Sequence, residues 1–586
     1  MLSIPLWFRS VPPQTKEELL EEIKTVDGPT SGLDADLLDG HDSSYFEPAD
    51  GTLLKQADVD DTPVDGALNV PISSNWAFDH LSLWHTALND IGEPGQLGFG
   101  VGLYPGSLPV GFSALSDTND KADTNYGNYQ YSDGSIMCWI PAFYYRIAHP
   151  DNPTYPTYGV NSVDIKPESA FADIATANAS GYALHRAFFD GDANIPKRGF
   201  FVDKYQISNN GGTASSLPLG IPLTTASTHN PIAVLTGTPS NTVAGCIQAS
   251  KTRGSSFFVP SIFIYSALAL LSLAHGQAAN GTAFCAWYLA NKNYPKGNNN
   301  NALADSDDTS VTFTSNGHVT YPLCAKTGSG DLFAKTTHNG QNSGVSDLNG
   351  NLYEVALGMT CVATSKTITA ATKANPCQIT IVGHGYQTGQ VIMITSVVGM
   401  TQLNDKLYTL TRVNDDAFTL DGVDSSGYTD FTSGASSCTS GTFYVAKTST
   451  AMKDFTSGNT LATDHWGATG VAALMEPITL NFATVSGSNG LSQRYGNSTN
   501  QVLSEGVSGT DWILTGSGMP KSGGVSSSGT NLFGLDLFHQ YIMNEMCLLS
   551  SGRWGYTSNS GVWHRYLDRY RAFSSYHVGC RCAAFM

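Results

Sequence analysis

Residues 550–585 read SSGRWGYTSNSGVWHRYLDRYRAFSSYHVGCRCAAF, and this C-terminal segment decides how the fold of the 586-residue chain is interpreted. It mixes aromatic, small and polar side chains without the regular Leu, Ile and Val alternation of a buried strand. Tyr and Trp offer large rigid contact areas, and Ser adapts its hydrogen bonds, so the mixture is typical of binding surfaces. The segment predicts a recognition face. The alternative is an ordinary aromatic-rich strand and loop.

Upstream segments have the patterns of strands and helices. Residues 143–146 and 200–205 cluster aromatic side chains as strands do, and residues 261–275 and 281–292 have helical spacing. The side chains expected on the buried side of the second helix are Phe284, Trp287, Tyr288 and Leu289. Together the segments indicate that residues 91–361 and 447–586 form one discontinuous domain.

The order of these segments resembles the formylglycine-generating-enzyme branch of the C-type lectin fold. The family's DKY-type strand, YC-W helix, GNVWEW strand, GGSW and GFR elements are matched by residues 201–205, 284–287, 350–355, 552–554 and 579–581. The resemblance covers roughly two-thirds of the chain. It implies an α+β, C-type-lectin-like fold with long insertions.

The spacing inside residues 550–585 resembles the variable region of diversity-generating-retroelement proteins of the major tropism determinant type. Residues 552–554, 561–563, Leu567, Ser574 and 578–581 follow that family's frame, although Cys580 stands where the family usually has Phe. In that family adenine-directed mutagenesis diversifies the codons whose side chains contact the target. Phage members form the receptor-binding tip of a tail fibre, typically as a trimer.

This resemblance implies a role for each position of the segment. The scaffold residues are Trp554, Leu567, Val578, Gly579 and Arg581, with Arg581 as a buried hydrogen-bonding anchor for neighbouring loops. The side chains expected to face solvent and contact the receptor are Tyr556, Ser558, Asn559, Ser560, Trp563, His564, Tyr566, Asp568, Arg569, Tyr570, Phe573, Ser574, Ser575, Tyr576 and His577. Replacing Trp563, Tyr566 or Tyr570 by Ala is therefore expected to abolish binding without lowering the melting temperature.

Residues 362–446 interrupt the lectin-like domain with short strands between Gly-rich turns. They resemble a small, all-β, barrel-like module common as an insert in phage tail proteins. We expect a decoration or stabilising module without chemistry, whose two ends lie close together. His384, between two glycines, is interpreted as a turn residue rather than a ligand.

The N-terminal residues 1–30 and 31–90 form an extended attachment and trimerisation segment in this interpretation. Thr15 and Glu18 have capping-box spacing before a short helix, which is either a simple packing helix or an attachment segment. Residues 37–46 (LLDGHDSSYF) resemble a short motif recurrent in bacteriophage tail fibres, where three chains intertwine. The residues expected at the trimer contact are Leu37, Leu38, Asp39, Tyr45 and Phe46. The alternative is one turn of an ordinary domain.

Composition excludes several classes of partner. The chain has 49 Asp and Glu against 30 Lys and Arg, which gives a net charge of −19 and argues against nucleic acid and anionic membranes. The start has no basic n-region of a signal peptide, and the longest apolar run, near residues 262–274, is too short to span a bilayer. Ten scattered cysteines without a CxxC pair suggest buried thiols made in a reducing host cytoplasm.

Three other functions compete with receptor binding as interpretations of this sequence. Oxidation by a copper-holding cysteine pair, as in formylglycine-generating enzymes, looks lost, because the only close pair is Cys580 and Cys582, in the wrong segment. Glycan cleavage needs two carboxylates about 5–10 Å apart, and no motif picks out such a pair. A cellular surface adhesin is disfavoured by the tail-fibre motif and by the missing signal peptide.

Residues 347–354 (DLNGNLYE) space oxygen ligands at alternating positions, as calcium prefers. The family resemblance also implies a structural calcium near this strand, with Asn349, Glu354 and backbone oxygens as ligands. The segment lacks the twelve-residue length of an EF-hand loop. The alternative is a turn rich in Asn and Gly before a strand.

These observations predict a non-enzymatic phage tail-fibre protein on the virion. It would bind a host-cell surface receptor, a protein or a glycan, through its C-terminal face. It would form a homotrimer and dock onto other tail or baseplate proteins through its N-terminal part.

Overall fold

A computed structural model describes residues 89–586, apart from 290–309, 316, 318, 320–321, 331–332, 433, 456–467, 485–489 and 498. All the described residues belong to the compact unit His85–Met586. The predicted N-terminal helix and the trimer contact at residues 37–46 lie outside the described residues.

The helices of the described chain are few and mostly short. They are α1 Tyr155–Tyr158, α2 Ile174–Ala179, α3 Val243–Lys251, α4 Ile262–Ala278, α5 Ala468–Leu474 and α6 Gly509–Gly516.

Strands make up most of the regular structure, so the fold is mixed α+β. Before the insert they are β1 Phe112–Ala114, β2 Asn128–Tyr131, β3 Ile136–Pro141, β4 Phe143–Ile147, β5 Val163–Pro167, β6 Ala183–Leu184, β7 Gly199–Asp203, β8 Ser208–Asn210, β9 Thr213–Ser215, β10 Phe257–Phe258, β11 Phe313–Ser315, β12 Leu323–Ala325 and β13 Tyr353–Ala356. In and after the insert they are β14 Met359–Thr367, β15 Ala370–Ala371, β16 Gln378–Thr380, β17 Val391–Thr395, β18 Lys406–Arg412, β19 Ala417–Leu420, β20 Ser437–Ala446, β21 Met475–Ile478, β22 Ser492–Tyr495, β23 Val525–Ser526, β24 Leu537–His539, β25 Leu548–Ser550, β26 Arg565–Tyr566, β27 Val578–Gly579 and β28 Ala583–Ala584.

The C-terminal segment joins two of the larger sheets. One sheet has the order β1-β2-β3-β7-β28-β10, and another has the order β23-β22-β24-β26-β25-β13-β27. In the first, β28 pairs antiparallel with β7; in the second, β27 runs parallel to β13 and β26 runs parallel to β24. The last 40 residues or so of the chain therefore fasten strands that are distant in sequence.

Helix α4 is the predicted buried helix, and it is confirmed. Its N-terminus is capped by the Ser261 hydroxyl, which accepts from the Ile264 N–H. Residues 262–277 are all buried, as expected for a helix that is apolar on every side. It contacts β5, β25 and α6, and the cluster around it takes side chains from both before and after the insert. Within the described residues, no helix is long and apolar enough to cross a membrane.

The helix predicted for residues 281–292 is wrong over its described part, 281–289, which is irregular. Phe284 is 37% exposed, whereas Trp287 is buried and donates its indole N–H to the Thr337 carbonyl at 3.0 Å. The Ala286 N–H donates to the Gly340 carbonyl at 2.9 Å. These tertiary hydrogen bonds replace the helical ones, although the spacing of the apolar residues is helical. Tyr288 and Leu289 are half-buried.

The insert enters and leaves on neighbouring strands. β14 and β20 pair antiparallel from Met359↔Val445 to Thr367↔Ser437, so its ends lie side by side, as an inserted module requires. Its own hydrophobic cluster runs from Ile368 to Cys438. His384 is buried in a turn: its Nδ1 accepts from the Tyr386 N–H and its Nε2 donates to the Asn414 carbonyl.

Candidate functional site

Arg581 is the buried anchor of the C-terminal segment. Its guanidinium donates two hydrogen bonds to Glu354, one of them at 2.6 Å, and others to the carbonyls of Asp203, Lys204 and Ser346 at 2.8–3.2 Å. Burial alone would lower the pKa of Arg581, but the Glu354 carboxylate outweighs it and raises that pKa. Arg581 is therefore buried and hydrogen-bonded, as the sequence predicts, and its role as scaffold of a binding segment stays a prediction.

Glu354 does not fit the predicted calcium site. Its carboxylate accepts from Arg581, from the Tyr265 hydroxyl at 2.8 Å and from the Gln206 amide at 3.1 Å, and its side chain is fully buried. A guanidinium therefore already supplies the positive charge that a cation would bring. Asn349 is half-buried in the bend before β13. Among the described residues, no three His, Cys, Asp or Glu side chains are grouped to hold a metal ion.

A second buried carboxylate holds the same segment from the other side. Asp203 accepts from the Cys582 N–H at 2.7 Å and pairs with both terminal nitrogens of Arg253 at 2.6 and 3.2 Å. Residues 581 and 582 are thus fixed between two carboxylates on β7 and β13. The backbone of residues 581 and 582, near the end of the C-terminal segment, cannot shift without breaking these bonds.

The other predicted scaffold residues are also buried. Leu567 and Val578 are inaccessible, and Trp554 is 4% exposed. Gly579 lies so close to β13 and the 223 loop that a Cβ there would sit 2.5 Å from the Leu223 carbonyl oxygen. Only glycine fits at that position.

Five of the predicted receptor contacts are buried, so the expectation that they face solvent is wrong for them: Ser560, Trp563, His564, Tyr566 and Ser575. Trp563 is fully buried between the rings of Tyr495 and Phe533, at centroid distances of 5.8 and 5.4 Å. Its backbone N–H donates to the buried Asp536 carboxylate at 2.8 Å. This hydrogen bond holds the backbone of Trp563 at the core, whereas the residue type alone suggested a surface contact.

The remaining predicted contacts are exposed or half-buried: Tyr556, Ser558, Asn559, Asp568, Arg569, Tyr570, Phe573, Ser574, Tyr576 and His577. Tyr570 is 46% exposed and lies 6.4 Å from Phe573. The Arg569 guanidinium covers Phe573 at 4.4 Å and Tyr566 at 4.9 Å. We call this set of ten exposed and half-buried residues the recognition face.

Tyr353 supports this face from below. Its ring lies 5.4–5.5 Å from the rings of Tyr556, His564, Tyr566 and His577. Tyr353 belongs to β13, the strand that also carries Glu354. The sequence placed this strand correctly, but gave no sign that its tyrosine is the centre of the aromatic cluster.

Beside the recognition face lies a cleft of about 340 Å³, which we call the sheet cleft. It is lined by Ser492, Arg494, Ser527, Leu537, His539, Tyr556, Asn559 and Tyr566. The His539 ring stacks on Tyr566 at 4.4 Å, and its Nδ1 lies 3.1 Å from the Ser492 hydroxyl. The Nε2 of His539 lies 3.6 Å from Asp568.

Strand register builds the sheet cleft. Ser492 pairs with His539, Arg494 with Leu537, and His539 with Tyr566, so their side chains share one face of the sheet. Four polar residues of the cleft were not predicted from the sequence: Ser492, Arg494, Ser527 and His539. Ser492 and Arg494 flank the buried Gln493 in β22, and because all three are polar, the sequence shows no alternation that reveals the exposed face.

The ten cysteines are free and buried. Contact with the Cys246 thiol, together with burial, raises the pKa of Cys580 well above its usual range, and burial raises the pKa of Cys582. Cys580 thus packs against α3 where the resembled family has a larger Phe. Raised pKa values hold both thiols in the protonated form, which is a poor nucleophile and a poor metal ligand.

Comparison with protein families and with curated proteins found no match. The functional inference therefore rests on the residues of the chain and on their geometry.

Proposed function

We propose that the protein is the receptor-binding protein of a bacteriophage tail fibre and that its C-terminal face recognises a host-cell surface receptor. The observation that carries the proposal is the division of residues 550–585 into two sets. Buried anchors such as Trp554 and Arg581 fasten the segment to two sheets, while aromatic, charged and small polar side chains between them reach the surface. A fixed backbone with a changeable surface is the arrangement that a diversified binder needs.

The finer fold is part of the same proposal. We assign the unit to a C-type-lectin-like fold of the formylglycine-generating-enzyme branch, with residues 362–446 as an insert. Support comes from the order of matched segments and from the pairing of β13 with β27, which brings the matched segments 350–355 and 579–581 into one sheet. β13 also pairs with β25, the strand that lies just before the matched segment 552–554.

Recognition rather than chemistry is supported by the composition of the face. The recognition face offers Tyr556, Tyr570 and Phe573, and large aromatics commonly carry much of the energy of an interface. Cys580 and Cys582, the close cysteine pair of the chain, are buried, and their raised pKa values favour the protonated thiols. The tail-fibre motif at residues 37–46 supports attachment to a virion and a trimeric assembly.

Cell binding tests the proposal directly. Fluorescently labelled full-length protein should bind cells of a susceptible strain in a bacterial panel and should block adsorption of the phage that carries it. Tyr570→Ala should weaken binding by about 2 kcal/mol or more, the usual loss at an interface hot spot, and should leave the melting temperature unchanged because Tyr570 is 46% exposed. The matched control is Tyr158→Ala, a partly exposed tyrosine of α1 outside the recognition face.

Two results would contradict the proposal. One is that no bacterial strain in the panel retains the protein. The other is that Tyr570→Ala and variants of Tyr556 and Phe573 all bind as the unaltered protein does, since the receptor would then contact another surface. Trp563→Ala belongs to a different class, because removing a buried Trp should lower stability by about 3–5 kcal/mol.

Diversification is tested in the DNA. We expect a near-copy of the codons for residues 550–585, differing at adenines, beside a reverse transcriptase gene. The differing codons should encode exposed positions such as Ser558 and Tyr570 and should spare Trp554 and Arg581. Absence of such a copy would leave a binder of fixed specificity.

A further inference from the structure

We propose that the sheet cleft binds a carboxylate-bearing sugar unit of a host surface glycan. This inference rests on the proposed function, because it names the chemical class of receptor that the C-terminal face would take. It depends on residues of β22 and β24 that lie outside the predicted variable segment. Four features of the cleft support it.

The first feature is Arg494, whose hydrogen bonds in the described structure do not go to a carboxylate. The Arg494 guanidinium is half-buried at the cleft, and its hydrogen bonds in the described structure go to uncharged oxygens of Leu535 and Ser558. The bond to the Leu535 carbonyl, at 2.6 Å, fixes one nitrogen and so holds the planar group in place. A positioned guanidinium recognises a carboxylate through paired, charge-assisted hydrogen bonds.

The second feature is the local sign of charge. The Arg553 guanidinium lies 4.4 Å from the ring of Tyr556, and Arg569 lies 4.9 Å from that of Tyr566, so two more cations flank the tyrosines of the cleft. These three arginines stand against two acids: Asp568, which is paired with Arg569 at 2.9 Å, and the fully buried Asp536, which interacts electrostatically with Arg494. A positive patch in a protein of net charge −19 favours an anionic ligand locally.

The third feature is a tyrosine wall. Tyr556 and Tyr566 both line the cleft, but Tyr566 is buried, with His539 stacked on its ring and the Arg569 guanidinium over it. The half-buried Tyr556 therefore offers the apolar ring surface with a polar edge that suits the C–H face of a pyranose ring and its hydroxyl rim. Ser492, Ser527 and Asn559 add donors and acceptors around this wall.

The fourth feature is shape. A volume of about 340 Å³ lies in the roughly 300–1,000 Å³ range of small-molecule sites. An acidic side chain on a folded protein would need the surrounding surface to match as well, whereas a projecting sugar enters a cleft directly. The cleft therefore favours a glycan over an acidic protein.

A glycan array tests this assignment. The full-length protein is applied to an array of bacterial oligosaccharides that contain uronic or sialic acids, to the same oligosaccharides with each carboxylate reduced to an alcohol, and to glutamate-rich peptides. We expect binding to the acidic oligosaccharides and loss of binding to the carboxyl-reduced ones. Arg494→Gln should weaken the acidic signal about tenfold or more, and Arg494→Lys should restore part of it. The control is Arg412→Gln, an arginine on β18 of the insert that pairs with Asp415.

The outcomes separate the two levels of inference. Equal binding of acidic and carboxyl-reduced oligosaccharides overturns the role of the carboxylate, as does binding of the peptides alone. Binding to host cells without any glycan signal overturns the sugar assignment and leaves the proposed function intact. Failure to bind either glycans or cells overturns both. If Arg494→Gln lowers the melting temperature, the carboxyl-reduced comparison on the unaltered protein decides the result.

Discussion

At the scale of single residues, the ion pair between Arg581 and Glu354 holds the C-terminal segment, residues 550–585, to β13. Arg581→Met would leave the fully buried Glu354 carboxylate without its cation, and such a loss typically costs about 3–5 kcal/mol. We expect a clear fall in the midpoint of denaturant unfolding, followed by intrinsic fluorescence.

The matched control for this change is Lys521→Met, which breaks the exposed pair with Glu505, whose side chains are 37% and 53% accessible. Exposed pairs contribute about 0–1 kcal/mol, so its midpoint should hardly move. Equal midpoints for the two variants would show that the buried pair is not a structural anchor.

Histidine protonation is a second residue-scale property with a measurable consequence. Burial lowers the pKa of His564 and of His185 to about 3, and that of His275 and of His338 to about 4. The unfolded chain binds these protons near pH 6.5, so their contribution to stability falls as the pH drops below 6.5 and stops falling near pH 3–4. We expect no change in the NMR shifts of these four rings between pH 7.5 and about 5. A midpoint of titration near 6.5 for any of them would contradict its burial.

At the scale of elements, we expect residues 362–446 to be a decoration or stabilising module that takes no part in recognition. β14 and β20 remain paired up to Thr367↔Ser437, so residues 368–436 can be replaced by an Asn-Gly hairpin turn without stretching the chain. Met393 and Leu407 of the insert pack in the main cluster, and their loss should lower stability by a few kcal/mol, since each buried side chain of this size is worth about 1.5–3 kcal/mol. We expect a folded protein with a lower melting temperature and unchanged cell binding.

Two measurements check this deletion. Circular dichroism with a melting curve reports folding, and the cell-binding assay reports the recognition face. Loss of binding in a folded variant would show that the insert takes part in recognition. An insoluble variant would show that the two hydrophobic clusters do not fold separately.

At the scale of the whole molecule, residues 31–90 are predicted to form an intertwined segment that assembles three chains. Light scattering of the full-length protein should give three times the 62.2 kDa of one chain, whereas residues 89–586 alone should be monomeric. Three linked faces raise the effective concentration at a cell surface, and avidity can exceed the single-site affinity by about 10²–10⁴-fold. The trimer should therefore dissociate from cells far more slowly than the monomer. A monomeric full-length protein would overturn the predicted role of residues 37–46.

The sequence alone predicted features whose cause is local. The run near residues 262–274 is apolar on every side of a helix, so it is buried whatever surrounds it. Strands 143–147 and 199–203 follow from clustered aromatic residues. The burial of Trp554 and Arg581 was expected from the family resemblance and not from a local pattern, since Glu354, which holds Arg581, lies far along the chain. The side-by-side ends of the insert were likewise foreseen from its position inside another domain.

Tertiary structure decided the features that depend on partners far along the chain. Residues 281–289 have helical spacing, yet their backbone bonds to residue 340 and to α4 instead. The residue type of Trp563 suggests a surface contact, yet its side chain lies in the core. Its backbone N–H donates a hydrogen bond to Asp536, 27 positions earlier in the chain. The spacing of oxygen-bearing residues suggested Glu354 as a calcium ligand. In the structure its carboxylate instead pairs with Arg581, 227 positions later in the chain. The sheet cleft exists only through the register of β22, β24 and β26, since hydrogen bonding between strands, which no local pattern encodes, sets which side chains share a face.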